Sequence, residues 1–343
     1  MSLPPVEIPL GAMRFNSDSQ KLEYFDGDVW MQVHTFNPNL DGGARGVFVG
    51  GNSPSTPSCA DIEYITISTK GNANDFGDLA RNNLAGGMCS SSTRGLYGGG
   101  QQPTSPANYE IEMITFSSTG AATDFGGNLT ANRDFLSALS NSTRGIFAGG
   151  RDSAAATDVM DYVTIASNGI NAQDFGDLTA AILYYPMTCA SPTRGLICGG
   201  SPVFPGTIDL ITIASTGNAT DFGNTADGHS GGQGCSNSTR GVFGGGYVPG
   251  ATIVNVIDYV TIASAGNASD FGDLTQNRRG LAACSSSLRG VWAGGCSPSD
   301  HNIIDFVTIT TRGSATDFGD LGQTNSGQLR NKAGCSNGHG GLG

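Results

Sequence analysis

Residues 257 to 295 read Ile257-Asp-Tyr-Val-Thr-Ile-Ala-Ser-Ala-Gly-Asn-Ala-Ser-Asp-Phe-Gly-Asp-Leu-Thr-Gln-Asn-Arg-Arg-Gly-Leu-Ala-Ala-Cys-Ser-Ser-Ser-Leu-Arg-Gly-Val-Trp-Ala-Gly-Gly295. Four short runs lie in this stretch. Ile257 to Ala263 is β-branched with period-two alternation, Ala268 to Phe271 is short, Gly280 to Cys284 is small and apolar, and Arg289 to Ala293 is stopped by Gly294-Gly295. Such runs, bounded by Gly, Ser and Asn, read as strands joined by tight turns, and helix signals are nearly absent.

The pattern repeats along the chain. Arg-Gly followed by an apolar run and Gly-Gly starts near 45, 94, 144, 194, 240 and 289, at spacings of 49, 50, 50, 46 and 49 residues. Asp-Phe-Gly recurs in step at Asp75, Asp124, Asp174, Asp221, Asp270 and Asp317. Four strands per unit of this length, in six copies, predict an all-β fold: a six-bladed β-propeller over residues 45–343. Arg45 opens its copy at a second strand, whereas Lys332 to Asn337 matches a first strand with nothing after it. The C-terminus is therefore expected to complete the first blade.

Two turns per copy have fixed length and two vary. In an up-and-down blade the first-to-second and third-to-fourth turns share one face, and these are the fixed ones. The second-to-third and fourth-to-first links share the other. Variable loops on a rigid scaffold are where recognition is built, so the candidate recognition residues are Tyr109, Phe204, Tyr247 and His301.

The Gly doublets after the second strand, Tyr64, Tyr162 and Tyr259 on the third, and Phe76, Phe125, Phe175, Phe222, Phe271 and Phe318 on the fourth together resemble the kelch repeat, with Phe in place of its Trp. More closely, Ile211-Thr-Ile-Ala-Ser-Thr-Gly-Asn-Ala-Thr-Asp-Phe-Gly223 is similar to repeats in virion and tail-appendage proteins of marine and cyanobacterial bacteriophages. Residues 1–44 carry a separate resemblance. Gly11-Ala-Met-Arg-Phe-Asn-Ser-Asp-Ser-Gln-Lys-Leu-Glu-Tyr-Phe-Asp-Gly-Asp-Val-Trp-Met-Gln-Val33 resembles a short meander of phage tail fibres, and reads as strands over 12–16, 21–25 and 29–33. So small a β-rich segment hardly buries enough surface to stand alone. Phe15, Tyr24, Phe25 and Trp30 are its candidate anchor residues.

These resemblances imply a kelch-like virion structural protein, either a tail fibre or appendage or a capsid-attached adhesin. It would be joined to other virion proteins through residues 1–44, with a homotrimer as one arrangement at the base, and would offer its variable loops to host-surface glycans or another virion protein. A non-viral kelch-like scaffold for protein partners and a propeller enzyme acting on polysaccharide are the alternatives.

Composition narrows the function classes. The formal net charge is −12 and the only lysines are Lys21, Lys70 and Lys332, so no basic stripe exists to neutralise phosphates and nucleic acid is excluded as a partner. No apolar run is long enough to span a membrane as a helix. The scattered His34, His229, His301 and His339, and the absence of a CxxC pair, give no metal, cofactor or catalytic set. Asp-Phe-Gly in six copies is a structural triplet, with Phe as a wedge, Asp as a turn acceptor and Gly permitting positive φ. Five of the eight cysteines, at 89, 189, 235, 284 and 335, share a repeat position that Leu139 fills in the sixth copy, which marks a buried apolar slot of free thiols. The repeat arginines, and the acids Glu63, Glu112, Asp161, Asp209, Asp258 and Asp305, occur once per copy. Such repetition points to bonds between blades, to carboxylates or carbonyls, since a catalytic pair is normally unique.

Overall fold

The computed structural model describes residues 8–16, 21–32, 44–53, 57–103, 107–152, 155–201, 206–250, 252–322 and 329–342. The chain divides into two compact units, Met1–Gly42 and Gly43–Gly343.

The first unit holds a three-stranded antiparallel meander, Met13–Asn16, Lys21–Phe25 and Trp30–Gln32. Its register places Met13 opposite Tyr24 and Tyr24 opposite Met31. These three side chains therefore share a face with Phe15, and all four are exposed. Arg14 and the buried Glu23 form an ion pair at 2.8 Å on the other face.

Among the described residues the second unit is built from antiparallel sheets, five of four strands, one of five and one of two, a coarse architecture consistent with a propeller-like β fold. Sheet one comprises Ala333–Ser336, Arg45–Val49, Cys59–Thr66 and Asn74–Asn83. The C-terminal strand pairs with the strand that follows the first unit, Ala333 opposite Val49 and Ser336 opposite Gly46, as the truncated first copy requires. The first strands of sheets two to six are Gly87–Ser90, Ser137–Ser140, Met187–Ala190, Gln233–Ser236 and Ala282–Ser285. Each touches the first strand of the next sheet, and Ala282–Ser285 touches Ala333–Ser336, which touches Gly87–Ser90.

Small residues let these sheets approach one another. Gly77 has φ +142°, and a Cβ on it would lie 2.4 Å from the Gly120 carbonyl of the next sheet. That approach allows Gly120 N–H to donate to Phe76 O at 2.7 Å. The same bond recurs from Gly169, Gly217, Gly266 and Gly313 to Phe125, Phe175, Phe222 and Phe271, and Gly71 of sheet one donates to Phe318 of sheet six. All six phenylalanines are buried. The expected turn-capping role of the preceding Asp is seen in Asp124 Oδ1, which accepts from Gly126 N–H at 2.7 Å.

The cysteine slot is apolar packing across the same seams. All eight thiols are free and buried, and a Cβ on Gly145 or Gly241 would lie 2.5 Å from Cys89 or Cys189 Sγ of the preceding sheet. The Gly of Arg-Gly is thus the space that the neighbouring thiol fills. Burial pushes the Cys335 thiol up to about 12 and the Cys59 thiol to about 11, so neither ionises near neutrality.

Candidate functional site

The two ends of the sheets are bonded differently. At the end with the fixed turns, each repeat arginine donates to a backbone carbonyl of the next sheet: Arg45 to Phe116 O, Arg94 to Ala166 O, Arg144 to Ile213 O, Arg194 to Ala263 O, Arg240 to Ile309 O and Arg289 to Ile67 O, at 2.6 to 3.1 Å. Carbonyls, not carboxylates, are the partners. Four of these guanidinium groups also lie over a third-strand aromatic, as Arg240 does over Tyr259 at 4.7 Å.

At the opposite end the six third-strand acids are all buried and are partnered in different ways, and among the described residues Glu63 Oε1 and Asp258 Oδ2 have no hydrogen-bond partner. Asp161 accepts from Arg133 at 2.6 Å and from Thr130 Oγ1 at 2.6 Å. Asp305 accepts from Arg278 and from Thr275 Oγ1. Asp209 has the hydroxyl of Thr179 at 2.6 Å, and Glu63 faces Lys332 at 3.3 Å. Asp258 has His229 at 3.9 Å. Glu112 Oε2 accepts from the backbone N–H of Ala80 at 2.7 Å, and among the described residues no side chain donates to it. Burial raises the pKa values of Glu63, Glu112, Asp209 and Asp258 above the ordinary carboxylate values, and the same burial lowers those of Arg133 and Arg278. Arg133 and Arg278 were not singled out by the sequence reading. Their signal was that each ends a fourth-strand segment one sheet before its acid, where Asn83 and His229 stand in other copies.

The first strands line a cavity of about 60 Å³. Its serine hydroxyls are spent on neighbouring carbonyls: Ser90 Oγ to Ser336 O, Ser140 Oγ to Ser90 O, Ser236 Oγ to Ala190 O, and Ser285 Oγ to Ser236 O, at 2.7 to 2.8 Å, with Ser336 Oγ to Ser285 O closing the series. Sheet four has Ala190 at this position. The C-terminal turn Gly340–Leu342 packs there, so closely that a Cβ on Gly341 would lie 1.9 Å from Ser140 O. His339 Nε2 donates to Ser90 O at 3.0 Å, which leaves Nδ1 to accept from Gly341 N–H at 3.1 Å. His339 Nε2 also lies 3.3 Å from Ser140 Oγ, whose hydroxyl is donated to Ser90 O at 2.7 Å.

The sequence-predicted recognition residues do not converge. Tyr109 is 43% exposed beside a groove of about 250 Å³ between sheets one and two. Tyr247 is half-buried, lies against Gly231, and has Arg279 over its ring at 5.7 Å. His301 belongs to a third place, its Nε2 3.3 Å from Ser297 O. Phe204 lies outside the described residues. Several segments read as loops are partly strand: the third strands already begin at Cys59, Asn108 and Ala155, and Tyr247–Val248 pairs with Thr252–Ile253. Backbone pairing continues there because the fourth strands run on beside the third, Cys59 opposite Asn83, Asn108 opposite Arg133 and Thr157 opposite Ile182.

The anchor residues divide as well. Phe15 and Tyr24 are exposed, whereas Phe25 and Trp30 are half-buried against each other, ring centroids 5.5 Å apart, with Arg14 at 4.1 Å over Trp30. The pairing Phe25 opposite Trp30 puts both on the Arg14 face, away from Phe15 and Tyr24.

Among the described residues, no group of three or more His, Cys, Asp or Glu is placed to hold a metal ion, and no helix is long and apolar enough to cross a membrane. No protein-family model and no curated protein sequence matches the chain.

Proposed function

We propose that this chain is a bacteriophage virion protein, a tail fibre or appendage or a capsid-attached adhesin, in which residues 45–343 form a six-bladed kelch-like propeller and residues 1–44 attach it to the particle. The observation that carries the propeller is the cyclic order of inter-sheet bonds, with Gly71 of sheet one donating to Phe318 of sheet six as Gly120 does to Phe76. The attachment role is supported by the exposed apolar face of Met13, Phe15, Tyr24 and Met31 on a meander too small to bury it. Its partners are other virion proteins, in a homotrimer at the base. The propeller meets host-surface glycans, or another virion protein, through the links whose sequence and bonding differ from sheet to sheet.

The reading places the chain in the virion, and mass spectrometry of purified particles tests it: absence of the chain from the particle defeats the proposal. A particle carrying residues 45–343 in place of the full chain should lack the propeller, and full incorporation would move the anchor elsewhere. No enzymatic role is assigned, because the acids recur in every copy and are engaged between sheets.

A further inference from the structure

We propose that a break in the series of backbone bonds joining the fourth-to-first links, between sheets three to four and four to five, binds the acetamido group of an N-acetylhexosamine, an inference that deepens the adhesin reading and rests on it.

Each link from a fourth strand to the next first strand carries a residue at positive φ: Ala85, Phe135, Tyr185, Gly231, Gly280 and Asn331. These residues bond from link to link. Ala85 N–H donates to Asn331 O, Phe135 N–H to Ala85 O, Tyr185 N–H to Phe135 O, Gly280 N–H to Gly231 O and Asn331 N–H to Gly280 O, at 2.7 to 3.1 Å. The order calls for a sixth bond, from Gly231 N–H to Tyr185 O, and among the described residues neither group has a hydrogen-bond partner. The seam is crossed there by Ser230 Oγ instead, which donates to Tyr184 O at 3.3 Å. The break leaves one backbone donor and one backbone acceptor on neighbouring links, and each must find a partner from outside the chain.

The surrounding groups define the ligand. The N–H and C=O of a trans secondary amide point in opposite directions, so an acetamido group in the break offers its carbonyl to Gly231 and its N–H to Tyr185. Water can make the same two bonds, so a bare hydroxyl gains little by displacing it, whereas the acetamido group adds an apolar methyl. Aromatic rings flank the break. Tyr184 and Tyr185 stack with centroids 6.5 Å apart, each edge-on to Phe135 at 4.8 and 4.9 Å, and all three are half-buried. On the next link Tyr247 packs on Gly231, where a Cβ would lie 3.0 Å from Tyr247 Cε1. Such rings take the methyl group and the C–H face of a pyranose. Tyr185 holds φ +47°, a conformation that disfavours a bulky side chain and that glycine fills in two other links; strain of this kind persists where a side chain is positioned for a ligand. Tyr185 Oη is buried without a hydrogen-bond partner, and burial raises its pKa, so the phenol keeps its proton as a donor. Arg279 is exposed beside Tyr247, and among the described residues its guanidinium has no ion pair or hydrogen bond, which leaves its N–H groups for a ring hydroxyl.

The test is ligand-observed NMR and calorimetry on the full-length protein. The probes are the methyl glycosides of N-acetylglucosamine and N-acetylgalactosamine. Methyl glucoside and methyl galactoside are the arms without the amide, and N-acetylalanine amide is the amide without the sugar. At least one N-acetylated glycoside should bind saturably, and about tenfold more tightly than its parent glycoside. Tyr185→Gly installs the residue two other links carry at positive φ, so the variant should fold. Both it and Tyr184→Ala should weaken binding about tenfold, whereas Leu288→Ala, exposed at the fixed-turn end, should bind as the parent does. Absence of binding by both N-acetylated glycosides, parent glycosides that bind as tightly, binding indifferent to both tyrosine variants, or N-acetylalanine amide that binds as tightly as the sugars each overturns the inference. Particle adsorption separates this from the reading beneath it. Adsorption that depends on the chain while no glycoside occupies the break removes the acetamido site and leaves the adhesin standing, whereas a chain missing from the particle removes the adhesin.

Discussion

The fixed-turn end and the variable end of the sheets face the same problem, tying one sheet to the next, and solve it with different chemistry. At the fixed end an arginine reaches a backbone carbonyl in all six copies, so the bond is indifferent to the neighbour's side chains. At the variable end a buried carboxylate must find a side-chain partner, and it finds Arg, Thr, Lys or His, or in one copy none. A backbone-directed bond tolerates drift in the rest of the copy. A side-chain-directed bond ties each site to its own pairing, so the copies there have diverged.

The severest way to break the comparison is to remove the element both ends share. Deleting residues 329–343 takes away the first strand of sheet one together with the turn that packs on the first strands. The backbone groups of Arg45–Val49 then lose their partner, and the faces of two sheets meet water. The expected result is loss of a cooperative thermal transition, and an unchanged melting temperature would show that sheet one does not need this strand.

Next come single buried contacts. Phe271 lies edge-on to Tyr259 at 5.9 Å, inside the seam between sheets five and six. Phe271→Ala should cost about 3 to 5 kcal/mol in urea denaturation, whereas Cys284→Ala removes one sulfur atom from a slot that Leu139 fills elsewhere and should cost about 1 kcal/mol. Equal costs would mean the thiol does more than pack. Asp305→Ala strands the fully buried Arg278 and should also cost about 3 to 5 kcal/mol.

How far these features could be read from sequence follows from the same contrast. Strand order, the fixed turns, the wedge Phe and the completing C-terminal strand all repeat, and repetition turns six weak local signals into one strong one. The partners of Asp161 and Asp305 were not legible, because Arg133 and Arg278 occur in two copies only and lie about 30 residues from their acids. The groove was half legible. Tyr109 stood out as an aromatic in a variable link, but the residue that backs the neighbouring acid, Thr130, Thr179 and Thr275 in three copies and Ala80, Ala226 and Gly322 in the others, is aligned only by the register. In the meander, alternation alone separates Phe15 and Tyr24 from Phe25 and Trp30, yet all four were grouped together because composition, and not strand pairing, guided the choice.

The acid position gives a smaller and sharper test. Among the described residues no cation is bonded to Glu112, although Arg81 lies near it, and burial raises its folded pKa. A carboxyl raised in this way stabilises the fold below its unfolded value near pH 4.5, and that contribution is lost as the pH rises through the folded value. Glu112→Gln keeps the acceptor for Ala80 N–H without the charge. The variant should be more stable than the parent by about 1 kcal/mol at neutral pH, with the gap closing toward pH 4.5. A destabilised Glu112→Gln would show that the charge is needed, and would align this copy with the paired ones.

The smallest effect belongs to His339, and it runs in the other direction. The ring is buried, its Nε2–H donates to Ser90 O, and its Nδ1 accepts from Gly341 N–H, so a second proton would break the Gly341 bond and place a charge out of water. Burial accordingly lowers its folded pKa below the ordinary value of 6.5. A histidine lowered on folding contributes stability that is complete above the unfolded value and is lost as the pH falls from there through the folded value. The loss attributable to this residue between pH 7.5 and pH 6.0 should be at most about 0.8 kcal/mol, the limit set by its unfolded value of 6.5. Because Glu63, Glu112, Asp209 and Asp258 titrate with the opposite sign, the wild-type profile alone conceals it. The measurement is therefore the difference between wild type and His339→Gln, whose amide can still donate to Ser90 O but does not titrate. A difference that grows as the pH falls through 6.5 supports a neutral His339 in the folded tail, and a difference independent of pH would show that the tail releases the ring before it is protonated.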